Sequence, residues 1–289
     1  MVTATTTHNQ PLLEVMIAAY GAEGLEGVAG MQIPQVEGVR YLVSCQWPEG
    51  DFPDLPESLR RSDLELHFSR SRGAARNRNI LLSKWQAPYG LVADDDLDYT
   101  AESLKRVITD FQADPTLDFA AYKVMLHDGT AEKIYPDHSF DMRRPTKGYF
   151  PGAPEFALRR ESLQRAGICY NENFGVGTEH FASGEDDLLL EDMLRAGLKG
   201  RFIPEVLCVH YGASTGIRSA ARPGVLRAQG AVLHRSHPIT APLRLLLKAR
   251  RTSRMTGAGT LHCLRHLLSG WKEGLLHGRR LYDAPASVK

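Results

Sequence analysis

The chain has 289 residues, 43% of them hydrophobic and 24% charged, so one large domain, or one domain with an appendage, can bury a full core without disulfides. The four cysteines, Cys45, Cys169, Cys208 and Cys263, lie far apart with no CxxC pair and read as reduced, mostly buried thiols of a cytoplasmic protein. The start, MVTATTTHNQ, lacks the features of a signal peptide, and no stretch reaches the run of about 18 apolar residues that a membrane span needs. The net charge of +1 hides an asymmetry: residues 217–289 carry 14 Lys or Arg against 2 acids, while residues 1–216 carry 21 against 32. An acidic body with a basic tail implies two kinds of partner.

In chain order, Leu12 to Tyr20 reads as a buried strand ending in a glycine-containing loop. Arg40 to Cys45 and Leu64 to Phe68 read as further strands, and Gly73 opens a helix over Ala74 to Trp85. Tyr89 to Ala93 is a strand that runs straight into three aspartates. Thr100, with Glu102 and Ser103 behind it, caps a helix that reaches about Gln112, and Leu117 to Met125 is the next strand. Residues 137–154 are irregular. A short strand at Phe156 to Leu158 and a short helix at Glu161 to Ala166 follow, then a glycine-containing loop over Phe174 to Ser183. Leu188 to Ala196 continues as a helix that Gly197 ends, Phe202 to His210 is a strand, and the remainder is helical and basic. Strands alternating with helices predict an α/β domain over residues 1–216 with a mostly parallel sheet, and a helical basic region over 217–289. In such sheets ligands bind beyond the carboxyl ends of the strands, where Tyr20, Gln46 and the aspartates fall.

Asp94, Asp95 and Asp96 repel one another at the mouth of a buried strand, so they call for a cation or a set of donors. Carboxylates suit hard ions such as Mg²⁺ or Mn²⁺, which also hold diphosphates. The plainer reading is a solvated turn that caps the next helix. Glu185, Asp186 and Asp187 sit in a first helical turn, where the macrodipole favours acids and where a catalytic base could equally stand. The stretch Phe174 to Glu179 would let an acceptor hydroxyl approach. Between Ser69 and Asn79, arginines surround Gly73 at a helix start, which makes either an anion site or a solvated basic face, the latter including Arg78. Neither a P-loop nor a dinucleotide GxGxxG is present. His210 ends a strand and reads as a structural residue or as a metal or diphosphate ligand. His262, Cys263 and His266 lack a second cluster and read as ordinary helix residues rather than a zinc site.

The order Ala19-Tyr20, Ala75-Arg76-Asn77, Ala93-Asp94-Asp95-Asp96, Gly184-Glu185-Asp186-Asp187 and Val209-His210 resembles the family 2 glycosyltransferases of the GT-A fold, in particular bacterial members that build surface polysaccharides. The likeness spans roughly residues 12 to 215. It implies a nucleotide-sugar donor site formed by Ala19, Tyr20, Arg76, Asp94 and Asp95. It implies Mn²⁺ or Mg²⁺ on Asp96, with Asp94 and His210. It implies Asp186, with Asp187 as substitute, as the base of an inverting transfer to a saccharide or lipid-linked acceptor. Where many members carry an aspartate that reads the base, Ser44-Cys45-Gln46 stand here, and UDP is the expected carrier. A nucleotidyltransferase and a non-catalytic scaffold are the rival functions.

In the tail, leucines interleave with bases over residues 243–280, with Trp271 among them. Two arrangements fit: a peripheral contact with the inner face of the cytoplasmic membrane, or helices packed on the acidic body. The tail lacks the aromatic interleaving of single-strand binders, so no nucleic-acid partner is expected.

Overall fold

The computed structural model describes residues 10–146, 148–211 and 219–283. The expected boundary at 216/217 lies outside the described residues. Nine strands form one sheet, in the order β3-β2-β1-β4-β8-β6-β9-β5, with β7 also paired to β9. The strands are β1 (Leu13–Tyr20), β2 (Val39–Gln46), β3 (Leu64–Ser69), β4 (Tyr89–Asp94), β5 (Leu97–Tyr99), β6 (Phe119–Leu126), β7 (Phe140–Asp141), β8 (Phe156–Arg159) and β9 (Gly200–His210).

The sheet is mixed, which corrects the mostly parallel expectation. β3, β2, β1 and β4 are parallel neighbours, as are β6 and β9. β8 is wedged antiparallel between β4 and β6, while β5 and β7 run antiparallel to β9. Four residues at Phe156–Arg159 announce a strand by their apolar run, but nothing in so short a run encodes its direction.

Five helices flank the sheet: α1 (Gly21–Gly30), α2 (Ala74–Lys84), α3 (Ala101–Ala113), α4 (Arg160–Ala166) and α5 (Glu185–Arg195). Leu25 and Val28 of α1 share one core layer with Leu104, Val107 and Phe111 of α3. Ala75 and Leu81 of α2 share the other with Leu163 of α4 and Leu189 and Met193 of α5. Sheet residues feed both layers, which is why β1 reads as a near-continuous apolar run, interrupted only by the buried Glu14, instead of an alternating one. Thr100 caps α3 in a capping box: its Oγ1 accepts from Ser103 N at 3.0 Å, and Ser103 Oγ accepts from Thr100 N at 3.3 Å.

Helix α1 corrects the loop expected after Tyr20. Its sequence, GAEGLEGVAG, carries four glycines, each of which lowers helix propensity. Two of them, Gly24 and Gly27, are there for close approach. A Cβ at Gly24 would meet Asp95 Oδ2 at 2.5 Å, and one at Gly27 would meet Asp95 O at 2.6 Å.

The basic region forms α6 (Pro223–Ser236), α7 (Ala241–Thr256) and α8 (Thr260–Tyr282). Leu226, Leu245, Ala249, Cys263 and Leu267 give the three helices a core of their own. They also pack on the body: Ala228 and Ala231 meet Phe174, Phe181 and Leu188. Arg235 pairs with Asp192, and Asn171 Nδ2 donates to Leu281 O at 2.8 Å. Among the described residues, no helix is long and apolar enough to cross a membrane.

Candidate active site

Parallel register brings three strand ends level. Tyr20 pairs with Gln46 across β1 and β2, and Ala18 with Asp94 across β1 and β4. A cleft of about 260 Å³ opens there, lined by Ala19, Tyr20, Gln46, Arg78, Asp94 and Asp95, among others. Its walls are braced by amides. Asn77 Nδ2 donates to Ala19 O at 2.9 Å and to Ser44 O at 3.0 Å, tying α2 to the ends of β1 and β2. Gln46 Nε2 donates to Ser71 Oγ at 2.8 Å and Gly73 O at 3.1 Å, which fixes the side chain with its carbonyl left over for a ligand.

Arg78 is the centre of the site, and this corrects its reading as part of a solvated face. The side chain is 8% exposed. Its Nη2 lies 2.9 Å from Asp94 Oδ1, and its Nη1 lies 3.2 Å from Asp186 Oδ1 and 3.4 Å from Glu185 Oε1. The guanidinium also stands 5.5 Å from the centre of the Tyr170 ring. Burial works against its charge, but Asp186, Asp94 and Glu185 outweigh that cost and hold it firmly protonated. The two acidic motifs that sequence reading treated separately thus meet on one cation.

Asp186 Oδ2 accepts from Ala153 N at 3.0 Å, so each of its oxygens is held. Burial pushes its carboxyl up to about 7, against the opposing pull of Arg78. Burial likewise lifts Asp187 to about 6, opposed by Lys248 of α7. Asp187 therefore faces the basic region while Asp186 faces the cleft cation.

The three aspartates at the end of β4 diverge. Asp94 turns to Arg78. Asp95 lies against α1, where burial first, then Asp96 and Asp94, raise its carboxyl to about 6. Asp96 Oδ2 lies 2.9 Å from His210 Nε2, and His210 Nδ1 lies 3.3 Å from Glu132 Oε1. Its hydrogen bonds to those two carboxylates lift the His210 imidazole to about 10. Register explains the meeting, since His210 pairs with Leu97, the residue after Asp96. Asp94 does not join Asp96 and His210, and among the described residues no three His, Cys, Asp or Glu side chains converge on a point suited to a metal.

Two expected contacts fall elsewhere. Arg76 is not among the residues that line the cleft and donates from Nε to Glu172 Oε2 at 2.8 Å. At the start of α2, the N–H of Ala74 is taken by Val176 O at 2.8 Å, so that end of the helix is partly capped by the loop before α5. Gly73 and Gly177 make this possible, since a Cβ on Gly177 would sit 2.8 Å from Gly73 Cα. Arg72, unremarked in the sequence beyond its basic surroundings, lines the cleft instead.

No family model and no curated protein matches the chain. Solved structures do. S. aureus TarS residues 1–349 in complex with UDP-GlcNAc aligns with TM-score 0.53 at 13% identity, over 91% of this chain and 92% of that one. S. aureus TarS aligns with TM-score 0.52 at 16% identity, over 84% of this chain and 43% of that one. A weaker likeness, TM-score 0.49 at 16% identity over 93% and 76%, is to the mannosyltransferase PcManGT from Pyrobaculum calidifontis in complex with GDP-Man and Mn²⁺. The neighbours are GT-A-type glycosyltransferases, and at this identity the likeness shows a shared fold.

Proposed function

We propose that the chain transfers a sugar from a nucleotide-sugar donor, with UDP the expected carrier, to a hydroxyl of a saccharide or lipid-linked acceptor, with inversion at the anomeric carbon, as in the building of bacterial surface polysaccharides on the cytoplasmic side. The observation that carries this is the sharing of Arg78 by Asp94 and Asp186. It joins the wall of the cleft to a buried carboxylate whose affinity for a proton burial raises toward the range a general base needs.

The residues at the end of β4 suit a divalent ion. Asp96 Oδ1 is buried without a hydrogen-bond partner, and its other oxygen already meets an imidazole. One carboxylate and one histidine leave several positions of a six-coordinate Mn²⁺ or Mg²⁺ to phosphate oxygens and water. Asp96 would hold the ion through Oδ1, and His210 would join it only by giving up its Nε2 proton and its bond to Asp96; the ion's chemistry would be to neutralise the departing diphosphate. Tyr20 and the Gln46 carbonyl meet the nucleoside, Gln46 accepting from a base N–H. Arg72 and Asp94 line the path of the diphosphate and the adjoining ribose. Asp186, fixed by Ala153 N and Arg78, takes the proton of the acceptor hydroxyl. That oxygen then bonds to the anomeric carbon as the bond to the diphosphate oxygen breaks, and the nucleoside diphosphate leaves with the electron pair.

Calorimetric titration with a panel of nucleoside diphosphates, with and without Mn²⁺, tests the donor half. UDP should bind above the others only with metal, and Asp96→Ala should lose that metal dependence. If no diphosphate binds, the scaffold reading takes over. If a nucleotide donor is turned over with pyrophosphate as product, the chain is a nucleotidyltransferase.

A further inference from the structure

The stretch from α7 through α8 carries nine Lys or Arg and one acid, Glu273. That acid is occupied, with its Oε2 lying 2.5 Å from His180 Nε2 in the loop before α5. Packing the helices on the body therefore does not neutralise them. Among the described residues Arg250, Arg254, Arg265 and Lys272 make no ion pair, and all four are exposed.

Each helix has one buried stripe and one exposed stripe. On α7 the buried stripe is Ala241, Leu245, Ala249 and Thr252. The opposite side presents Leu243, Leu247, Arg250 and Arg254 to water. On α8 Cys263, Leu267, Gly270 and Gly274 are buried; Gly270 packs so closely on α6 that a Cβ would come within 1.8 Å of Arg227 O. The exposed stripe is Leu261, Arg265, Leu268, Lys272 and Leu275, successive at intervals of four and three residues, so it follows one side of the helix. Leu261 is 80% exposed.

Exposed leucines alternating with unpaired bases on α8, and two leucines followed by two unpaired arginines on α7, serve neither a core nor a purely solvated face. A solvated face would not carry the leucines, and a protein partner's apolar face would not accommodate unpaired cations at every second position. An anionic lipid surface accepts both: leucines enter the headgroup boundary while arginine and lysine stems reach the phosphates. We infer that the outer stripes of α7 and α8 seat the protein on an anionic bilayer. This would concentrate the enzyme where a lipid-linked acceptor is found, and it stands apart from the donor-site assignment because it is read without any transfer.

The test is flotation of the full chain with vesicles of phosphatidylglycerol and phosphatidylcholine against vesicles of phosphatidylcholine alone. The chain should float with the anionic vesicles at low salt, fall away as salt rises, and bind the neutral ones at least about tenfold less. The triple variant Leu261→Ser, Leu268→Ser, Leu275→Ser should lose about tenfold in vesicle affinity, and so should Arg265→Glu with Lys272→Glu. The leucines are exposed, so thermal melting should be unchanged and will certify the fold. Failure of the wild type to float at low salt overturns the inference. So does equal flotation of the leucine variant, which would mark a general polyanion surface. Self-association that the leucine variant abolishes, without vesicle binding, would instead assign the stripe to a second copy of this chain.

Discussion

Two acidic triplets, Asp94-Asp95-Asp96 and Glu185-Asp186-Asp187, have nearly the same composition and are held differently, although burial lifts Asp95 of the first to about 6 as it lifts Asp187 of the second. The first closes a strand and is spread out: its members go to Arg78, to the glycine helix α1 and to His210. The second opens a helix, where the macrodipole favours acids, yet burial drives Asp186 and Asp187 upward to about 7 and 6. The first set keeps oxygens available for a ligand, while the second keeps a carboxylate that can accept a proton. Surroundings, not residue type, divide the two tasks, as happens when one site needs one carboxylate for binding and another for proton transfer. Arg78 spans the division, so it is the place to break it.

Arg78→Met should have the largest effect. It leaves Asp94, Asp186 and Glu185 facing one another without a cation, in a site where the guanidinium was 8% exposed. Removing one partner of a buried ion cluster costs about 3–5 kcal/mol, and we expect the lower end because Asp94 is over a third exposed. Chemical denaturation would read the loss. Arg78→Lys should recover part of the stability but not the two-sided grip, since an ammonium cannot span both carboxylates as a planar fork does. A melting temperature unmoved in the methionine variant would show that the two triplets are independent.

Next comes Asp186→Asn, a replacement that keeps the shape and removes the proton acceptor. Transfer should drop by about 10²–10⁴, the usual contribution of a general base, while metal-dependent UDP binding stays within about twofold. A matching fall in donor affinity would move Asp186 to the binding side and erase the contrast between the triplets.

The contrast also predicts a pH dependence. Asp186 must be ionised to accept a proton, so kcat/KM should fall about tenfold per unit as pH drops below 7. Stability runs the other way for this group. Its folded value lies above the ordinary 3.8, so the native state binds more protons than the unfolded chain between those limits. Its contribution to stability therefore declines as pH rises through that window. Asp186→Asn should remove this slope, and denaturant midpoints at pH 5 and 8 would measure it. An unchanged slope would place the raised carboxyl elsewhere.

Much of the frame was legible. The apolar runs of β1, β2 and β4 and the Thr100 capping box gave positions within a residue or two, because strand burial and capping are local. Helix α1 was not, since its glycines lower helix propensity for a reason visible only in space, the contact with Asp95. Arg78 was misread because its three partners come from other elements, two of them from α5 far along the chain. Asp96 and His210 could be named from resemblance, but their adjacency is a product of β5–β9 register. Arg76, expected in the donor site by motif order, is engaged by Glu172, a residue no local pattern marked.

The smallest effect should come from Asp187→Asn, and it decides which acid of the second triplet is the base. Asp186 and Asp187 are neighbours in one helical turn, so they point about 100° apart. Asp186 lies on Arg78 and Ala153 N, whereas the strongest opposite charge felt by Asp187 is Lys248 on α7. Burial lowers Lys248, as it raises Asp187, and among the described residues no ion pair within 4 Å joins the two, so Lys248 acts on Asp187 only at longer range. Asn at 187 can still donate and accept hydrogen bonds there. Activity should change by less than about threefold and stability by under about 1 kcal/mol. If activity instead collapsed as far as in Asp186→Asn, with UDP binding intact in both, the proton would be taken from the side facing the basic helices. The cleft cation would then serve only to anchor the triplets, and the acceptor would have to enter between α5 and α7.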